Sequence, residues 1–339
     1  MKRYACILLL IVFTFAPVIS EAKKEHLIQG RTMGTIYRVK VVTSDSDGIS
    51  GLKDKIDRRL EEINRSMSTY MAESEISQFN SFRQTGVKFK ISDDFYQVMR
   101  VAQKVYQLSD GAWDATVNPL VDLWGFGRKG IKTVIPDKTE IKRLQESVGF
   151  HHIEILAPSY LIKNQPQITL DLSSIAKGYG VDAVAALLRD EGFEHFLVEI
   201  GGEIVATGLR KDGRQWRIGI NRPQKNAAIN SVYKVVNLQD GAFATSGDYR
   251  IFFEIDGVRY SHVINPRTGF PVANGVVSVS ILASDCTFAD GLATAIMVMG
   301  PQKGLALINR LERVEGLIVV EKPDGTLVDY PSTGFKAQN

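Results

Sequence analysis

The dipeptide Asp256-Gly257 stands between two alternating stretches, "IFFEI" and "VRYSHVI", and constrains the fold more than any other feature of the chain. A two-residue Asp-Gly loop closes an antiparallel hairpin, because both of its positions must take the left-handed backbone that Asp and Gly tolerate. Counting outward pairs Ile255 with Val258, Glu254 with Arg259, Phe253 with Tyr260 and Ile251 with His262. Glu254 and Arg259 then oppose each other as unlike charges, which suits a solvated face. His262 falls on the other face with Tyr260 and Ile264, since side chains alternate along a strand. An inward histidine either bonds a backbone carbonyl in a core or looks at a ligand, and the hairpin alone leaves both open.

Other segments extend the pattern. "HFLVEIGGEIVATG", "WRIGINRP", "VVSVSILAS" and a last hairpin, "GLIVVEKPDGTLVDY", read as strands joined by tight turns, with helices interspersed irregularly. That predicts an α+β fold of mixed, largely antiparallel sheets with packed helices, in a single two-lobed domain, rather than a doubly wound parallel sheet. No G-x-G-x-x-G follows a strand, so a dinucleotide fold is unsupported.

Residues 1–22 carry Lys2 and Arg3, an apolar run to about Ile19, and small residues at Ser20 and Ala22. This is the pattern of a secretory signal peptide, too short for a stable span, and it predicts an exported protein. The domain is then expected over 23–339. Cys6 leaves with the leader, so Cys286 alone remains and no internal disulfide can form. Stability must come from a core. The net charge of +3, without a basic block, gives nucleic acid no footprint. After the leader no apolar run is long enough to cross a bilayer, so a membrane is met only through the leader or a partner.

Leu52, Ile56, Leu60, Ile63 and Met67 recur at helical spacing. Ser92 caps a second helix with an inner stripe of Phe95, Val98, Ala102, Val105 and Leu108, and Gly111 closes it. "EHLIQGRTMGTIYRVKVV" reads as strand pieces broken at Gly30 and at Met33-Gly34, "STYMAESEISQFN" as irregular, and "GAWDATVNPLVDLWGFG" as a loop. "QITLDLSSIAKGYGVDAVAALLRDEG" reads as a strand ending at Asp171, then a helix capped by Ser173 or Ser174 and stopped by Gly192.

Three stretches carry candidate chemistry. Gly178 and Gly180 stand in the first turns of the "AKGYG" helix, where glycine is costly. Either a phosphate approaches the helix N-terminus, with Lys177 adding charge, or the helix packs tightly on the sheet. Gly201-Gly202 interrupts a strand, as a bulge or a ligand-facing stretch does. Asp290 and Thr294 share one helix face and could offer two oxygens to Mg²⁺, although Thr287-x-x-Asp290 also fits a capping box. No Walker loop, nucleophile elbow, zinc-spaced cysteines or H-E-x-x-H occurs.

Taken in order, "TMGT", "MSTYMAESEIS", "DGAWDATVNPLVDLWGFG", "DLSSIAKGYGVD", "EIGGEI", "ATSGDY", "HVINPRTG" and "ADGLATAIMVMG" resemble the ApbE family of FAD:protein FMN transferases over roughly residues 30–322. The resemblance implies an enzyme of the periplasm or outer cell surface that uses Mg²⁺. Such an enzyme cleaves FAD, moves FMN onto a Thr or Ser hydroxyl of an acceptor protein of electron-transfer type, and releases AMP. It places Met33, Tyr70, Ala112, Trp113, Asp114, Asp171, Lys177 and Ile264 against FAD. Asp290 and Thr294 fall at the metal pair, and Ser174 at a position that ligates through its backbone carbonyl, where Ala or Thr is usual. Asn265 stands where many relatives have Asp. His262, with an ordinary pKa near 6.5, becomes the base that takes the acceptor hydroxyl's proton. An FAD pyrophosphatase and a non-catalytic flavin carrier are the rival readings.

Overall fold

The computed structural model describes residues 23–338 apart from 45–46, 128–132, 226, 229–230 and 250. The leader therefore lies outside the described residues. Eight strands build the main sheet, in the order Lys24–Thr32, Thr35–Thr43, Phe196–Ile200, Glu203–Thr207, Gly241–Gly247, Val276–Ala283, Glu315–Glu321 and Leu327–Pro331. Every neighbouring pair in it is antiparallel, as tight turns require.

Two of those turns differ from the sequence reading. Gly30 breaks nothing: it lies inside the first strand opposite Tyr37, whose ring covers it. Only Met33-Gly34 turns, with φ of 48° and 72°, joining Thr32 to its partner Thr35. Gly201-Gly202 is likewise a hairpin turn rather than a bulge, because Ile200 pairs with Glu203 and both glycines have positive φ.

One face of the sheet carries the helices. The Leu52–Met67 helix buries all five residues of its expected stripe, and the Asp93–Leu108 helix is capped by the Ser92 side chain. Ala176–Asp190, hereafter the lysine helix, and Cys286–Met299, the aspartate helix, pack beside them in one continuous core. The opposite face is covered by a ribbon of Trp216–Asn221 and Val232–Leu238, which inserts Trp216, Ile218 and Ile220 against Leu197, Phe243 and Val319.

A third, smaller cluster makes the second lobe. Trp124 stacks on Tyr260 with centroids 5.6 Å apart, Phe126 stacks on Phe253 at 5.5 Å, and Leu120, Ile141 and Ile264 fill the remainder. Phe253 and Tyr260 belong to the Asp256-Gly257 hairpin, whose pairs Ile255–Val258, Glu254–Arg259 and Phe253–Tyr260 match the sequence count. The charge pairing across it does not form. Arg259 turns to Asp248 at 3.2 Å, and Glu254 to Lys225 at 3.1 Å.

Four further expectations fail for local reasons. "STYMAESEISQFN" contains a helix, Glu75–Ser81, because the Ser74 hydroxyl caps the Ser77 amide. Within "GAWDATVNPLVDLWGFG" the run Asn118–Leu123 is helical, with its proline in the first turn where no amide is needed. The stretch before the lysine helix forms no strand. Its amides are used elsewhere, Leu170 N–H by Asn80 Oδ1 and Asp171 N–H by the Ala115 carbonyl. Ile175 occupies the N-cap without a capping side chain, so neither Ser173 nor Ser174 caps the helix.

Candidate active site

Between the sheet body and the small lobe lies a cleft of about 470 Å³. It is lined by Tyr70, Ala112, Trp113, Asp114, Asp171, Ser174, Lys177, His262, Ile264, Asp290 and Thr294, so eleven of the twelve residues singled out from sequence meet there. The twelfth, Met33, lines an adjoining hollow of about 580 Å³ whose wall shares Tyr70, Asp171 and Lys177 with the cleft.

The charged end of the cleft is built where the two named helices cross. Gly178 N–H donates to Asp290 Oδ2 at 3.0 Å, so a carboxylate of the aspartate helix satisfies a free amide of the lysine helix. The two glycines have a packing reason. A Cβ on Gly178 would lie 2.4 Å from the Cys286 carbonyl oxygen, and one on Gly180 3.0 Å from the Met33 methyl. Neither lines the cleft; Gly178 lets the aspartate helix approach and Gly180 lets the helix pack on Met33 and the sheet residue Ile200, so tight packing rather than phosphate approach explains them.

The capping-box reading of Asp290 also falls. Asp285 is the N-cap and its side chain accepts the Phe288 amide. Thr287 gives both its amide and its hydroxyl to Asp182 on the lysine helix. Asp290 sits one turn further in and is left to the site.

Lys177 Nζ lies 2.7 Å from Glu203 Oε1 and 4.0 Å from Asp290 Oδ2. Burial works against the ammonium, but the Asp290 and Glu203 carboxylates outweigh it and raise its pKa. Burial pushes Glu203 and Asp290 up, while Lys177 pulls each back toward ionisation. Two buried acids thus share one cation. Sequence reading passed over Glu203, because an acid after Gly-Gly looks like a solvated turn. The signal was its place at the head of a strand, "EIVAT", that is otherwise apolar.

Nearby hydroxyls complete the group. Thr294 Oγ1 is 2.8 Å from Ser246 Oγ. The Ser174 hydroxyl accepts from Trp113 Nε1 at 3.0 Å, which fixes the indole in the wall. Asp114 spends its carboxylate on the protein: Oδ1 accepts the Thr116 amide and hydroxyl, and Oδ2 the Phe150 amide. Asp171 Oδ1 accepts the Ser173 amide at 2.8 Å. Tyr70 stands 72% exposed at the mouth.

His262 also lines the cleft, half-buried, edge-on to Phe126 at 6.4 Å. Its Nδ1 is 3.1 Å from the Ile251 carbonyl, so Nδ1 carries the hydrogen and Nε2 keeps its lone pair. Burial lowers its pKa, against the raising effect of that carbonyl, and the Arg259 charge lowers it further. The imidazole is therefore held neutral, in the form that can accept a proton. The ring bonds a backbone carbonyl and still lines the cleft, so the first alternative posed by the hairpin does not exclude the second.

Residues 33–318 match the family described as the ApbE family. The chain belongs to the ApbE family. Among curated relatives, one from Vibrio cholerae serotype O1 named FAD:protein FMN transferase is 44% identical over 316 residues, covering 93% of this chain and 92% of the relative. A namesake from Escherichia coli K12 is 33% identical, covering 95% and 91%. Solved structures are similar as well. The flavin transferase ApbE from Vibrio cholerae has a TM-score of 0.83 at 42% identity, over 92% of this chain and 98% of that one. The apo form of the Pseudomonas stutzeri flavinyl transferase ApbE has 0.82 at 35%, over 92% and 95%.

Within this ApbE-family fold, Asn265 has a local explanation. Its Oδ1 accepts the Arg267 amide at 2.9 Å, an Asx turn that Asn and Asp make alike. The group at the helix crossing also suits a hard cation. Among the described residues no three His, Cys, Asp or Glu side chains cluster as a ready cage. Yet Asp290 and the Thr294 hydroxyl, with a second buried acid beside them, fit Mg²⁺, which takes few protein oxygens and fills its shell with phosphate and water.

Proposed function

We propose that this protein is an FAD:protein FMN transferase that works with Mg²⁺ and attaches FMN to a Thr or Ser hydroxyl of an exported acceptor protein. The supporting observation is one cleft lined both by a lysine between two buried carboxylates and by a histidine whose pKa burial lowers. Membership of the ApbE family and the names of its relatives support the flavin substrate.

In this reading the acceptor oxygen attacks the phosphorus of the FMN half of FAD. The bond from that phosphorus to the bridging oxygen breaks, and the bridging oxygen leaves with AMP. His262 Nε2 takes the hydroxyl proton. Lys177 faces the pyrophosphate with a fixed positive charge. Asp290, Thr294 and the Ser174 carbonyl would hold Mg²⁺, which supplies charge neutralisation at the phosphates. Met33, Tyr70, Ala112, Trp113, Asp114, Asp171 and Ile264 line the space for the rest of FAD, with the exposed Tyr70 offering a face to a planar ring.

The test is incubation of the protein with FAD, Mg²⁺ and a candidate acceptor. A fluorescent acceptor band on a denaturing gel, with an equal amount of AMP by chromatography, is the expected result. Free FMN with AMP and an unlabelled acceptor would make the protein a pyrophosphatase. Bound flavin without AMP would make it a carrier.

A further inference from the structure

Glu203 has a part that the reading above leaves unused. It is 3% exposed, lines the cleft, and gives Oε1 to Lys177. Its other oxygen, Oε2, is buried and has no hydrogen-bond partner in the protein. Removing a carboxylate oxygen from water is costly unless something replaces the lost hydrogen bonds, and among the described buried side-chain atoms without a partner this one alone belongs to a residue that lines the cleft.

The chemistry of that completion is narrow. A phosphate oxygen would repel it. Lys177, the cation that Glu203 already holds, also serves Asp290, so two buried acids have one ammonium between them and burial pushes both toward their neutral forms. A divalent cation would supply the missing partner and the second positive charge that keeps both buried acids ionised.

We propose that Glu203 is a second anionic arm of the cation site, with Oε1 holding Lys177 and the free Oε2 turned to the divalent cation that Asp290 anchors. This rests on the metal reading above. Glu203 acts as a positioning residue: it sets the charge and aim of the pocket into which a divalent cation and a pyrophosphate fit. Partners of this kind around a metal site commonly contribute about 10–100-fold in metal affinity.

The experiment uses the full chain freed of flavin, with Mn²⁺ as the probe, read by the loss of its free electron-paramagnetic-resonance signal. Glu203→Gln is expected to weaken Mn²⁺ binding about 10–100-fold. Glu203→Asp keeps the charge and is expected to stay within a few-fold of wild type. Without any metal, FAD should bind Glu203→Gln as well as wild type or better, because a charge facing the pyrophosphate is gone. Unchanged Mn²⁺ binding in Glu203→Gln overturns the proposal. So does equal loss in both variants together with weaker metal-free FAD binding, which would make Glu203 only a prop for Lys177. If Glu203→Gln does not fold, Glu203→Asn against Glu203→Asp makes the same comparison. Asp290→Asn separates the two levels. Loss of Mn²⁺ there but not in Glu203→Gln sinks this inference alone, whereas no Mn²⁺ binding by wild type, or none lost in Asp290→Asn, sinks the metal reading with it.

Discussion

At the scale of single residues, the site turns on which side chains the protein uses up and which it leaves over. Asp114 is spent on backbone amides, whereas Asp290 keeps one oxygen free after accepting from Gly178. Asp290→Asn retains the shape and an acceptor but removes the charge. It should melt at or slightly above the wild-type temperature, because one of two acids sharing Lys177 is neutralised, yet need far more Mg²⁺ and transfer FMN poorly. Thr294→Val should show a milder form of the same defect. Melting curves and FMN transfer across a Mg²⁺ titration check both, and normal transfer with a lowered melting temperature would deny Asp290 a metal role. His262→Ala should bind FAD and lose about 10²–10⁴-fold in transfer rate. Since burial lowers the pKa of His262, its neutral, basic form persists below pH 6.5. Wild-type transfer should therefore fall only as the pH drops beneath that value, and the acid limb should vanish in the variant. A limb that survives in His262→Ala would assign the titration to another group. The hairpin register was readable from sequence to the residue, because a two-residue turn leaves one way to count. Glu203 and the role of Asp290 were not, since each is defined by a partner far along the chain: Lys177 for the first, and for the second Asp182, which takes Thr287 out of the capping box.

At the scale of elements, the site depends on how closely two helices approach. The Gly178 hydrogen occupies the gap to the Cys286 carbonyl, and a Cβ there would lie 2.4 Å from that oxygen, which is backbone and cannot swing aside. Gly178→Ala should cost roughly 1–3 kcal/mol by overpacking and should lengthen the Gly178–Asp290 hydrogen bond. Chemical denaturation measures the first, and a weakened response of transfer to Mg²⁺ reports the second. Stability equal to wild type would show that the helices can part without penalty. The sequence exposed the two glycines as costly, but a helix that must hug another helix and a helix that must hug a phosphate spend glycine alike. Only the three-dimensional neighbour separates them. The small helices at Glu75–Ser81 and Asn118–Leu123 escaped notice because runs of seven and six residues are too short to display a period.

At the scale of the whole molecule, the α+β class followed from tight turns, while the strand order did not. Thr35–Thr43 pairs with Phe196–Ile200, and no local signal names a partner so distant. The leader gives a prediction at this scale: residues 1–22, or a few fewer, should be missing from the protein isolated outside the cytoplasm, as mass spectrometry of the intact chain would reveal. Finding Met1 retained there would remove the argument for a cleaved signal. Strand pairing and the Gly178–Asp290 bond together also set the timing of assembly. The amide of residue 178 waits for a carboxylate 112 residues later, so a chain emerging N-terminus first has no finished cleft until the aspartate helix arrives. Contacts that span such lengths form late and slowly. Were the chain threaded through a membrane from its N-terminus, as the leader predicts, its cleft would be complete only once Met299 had crossed, and the FAD it could engage would be the pool on the far side.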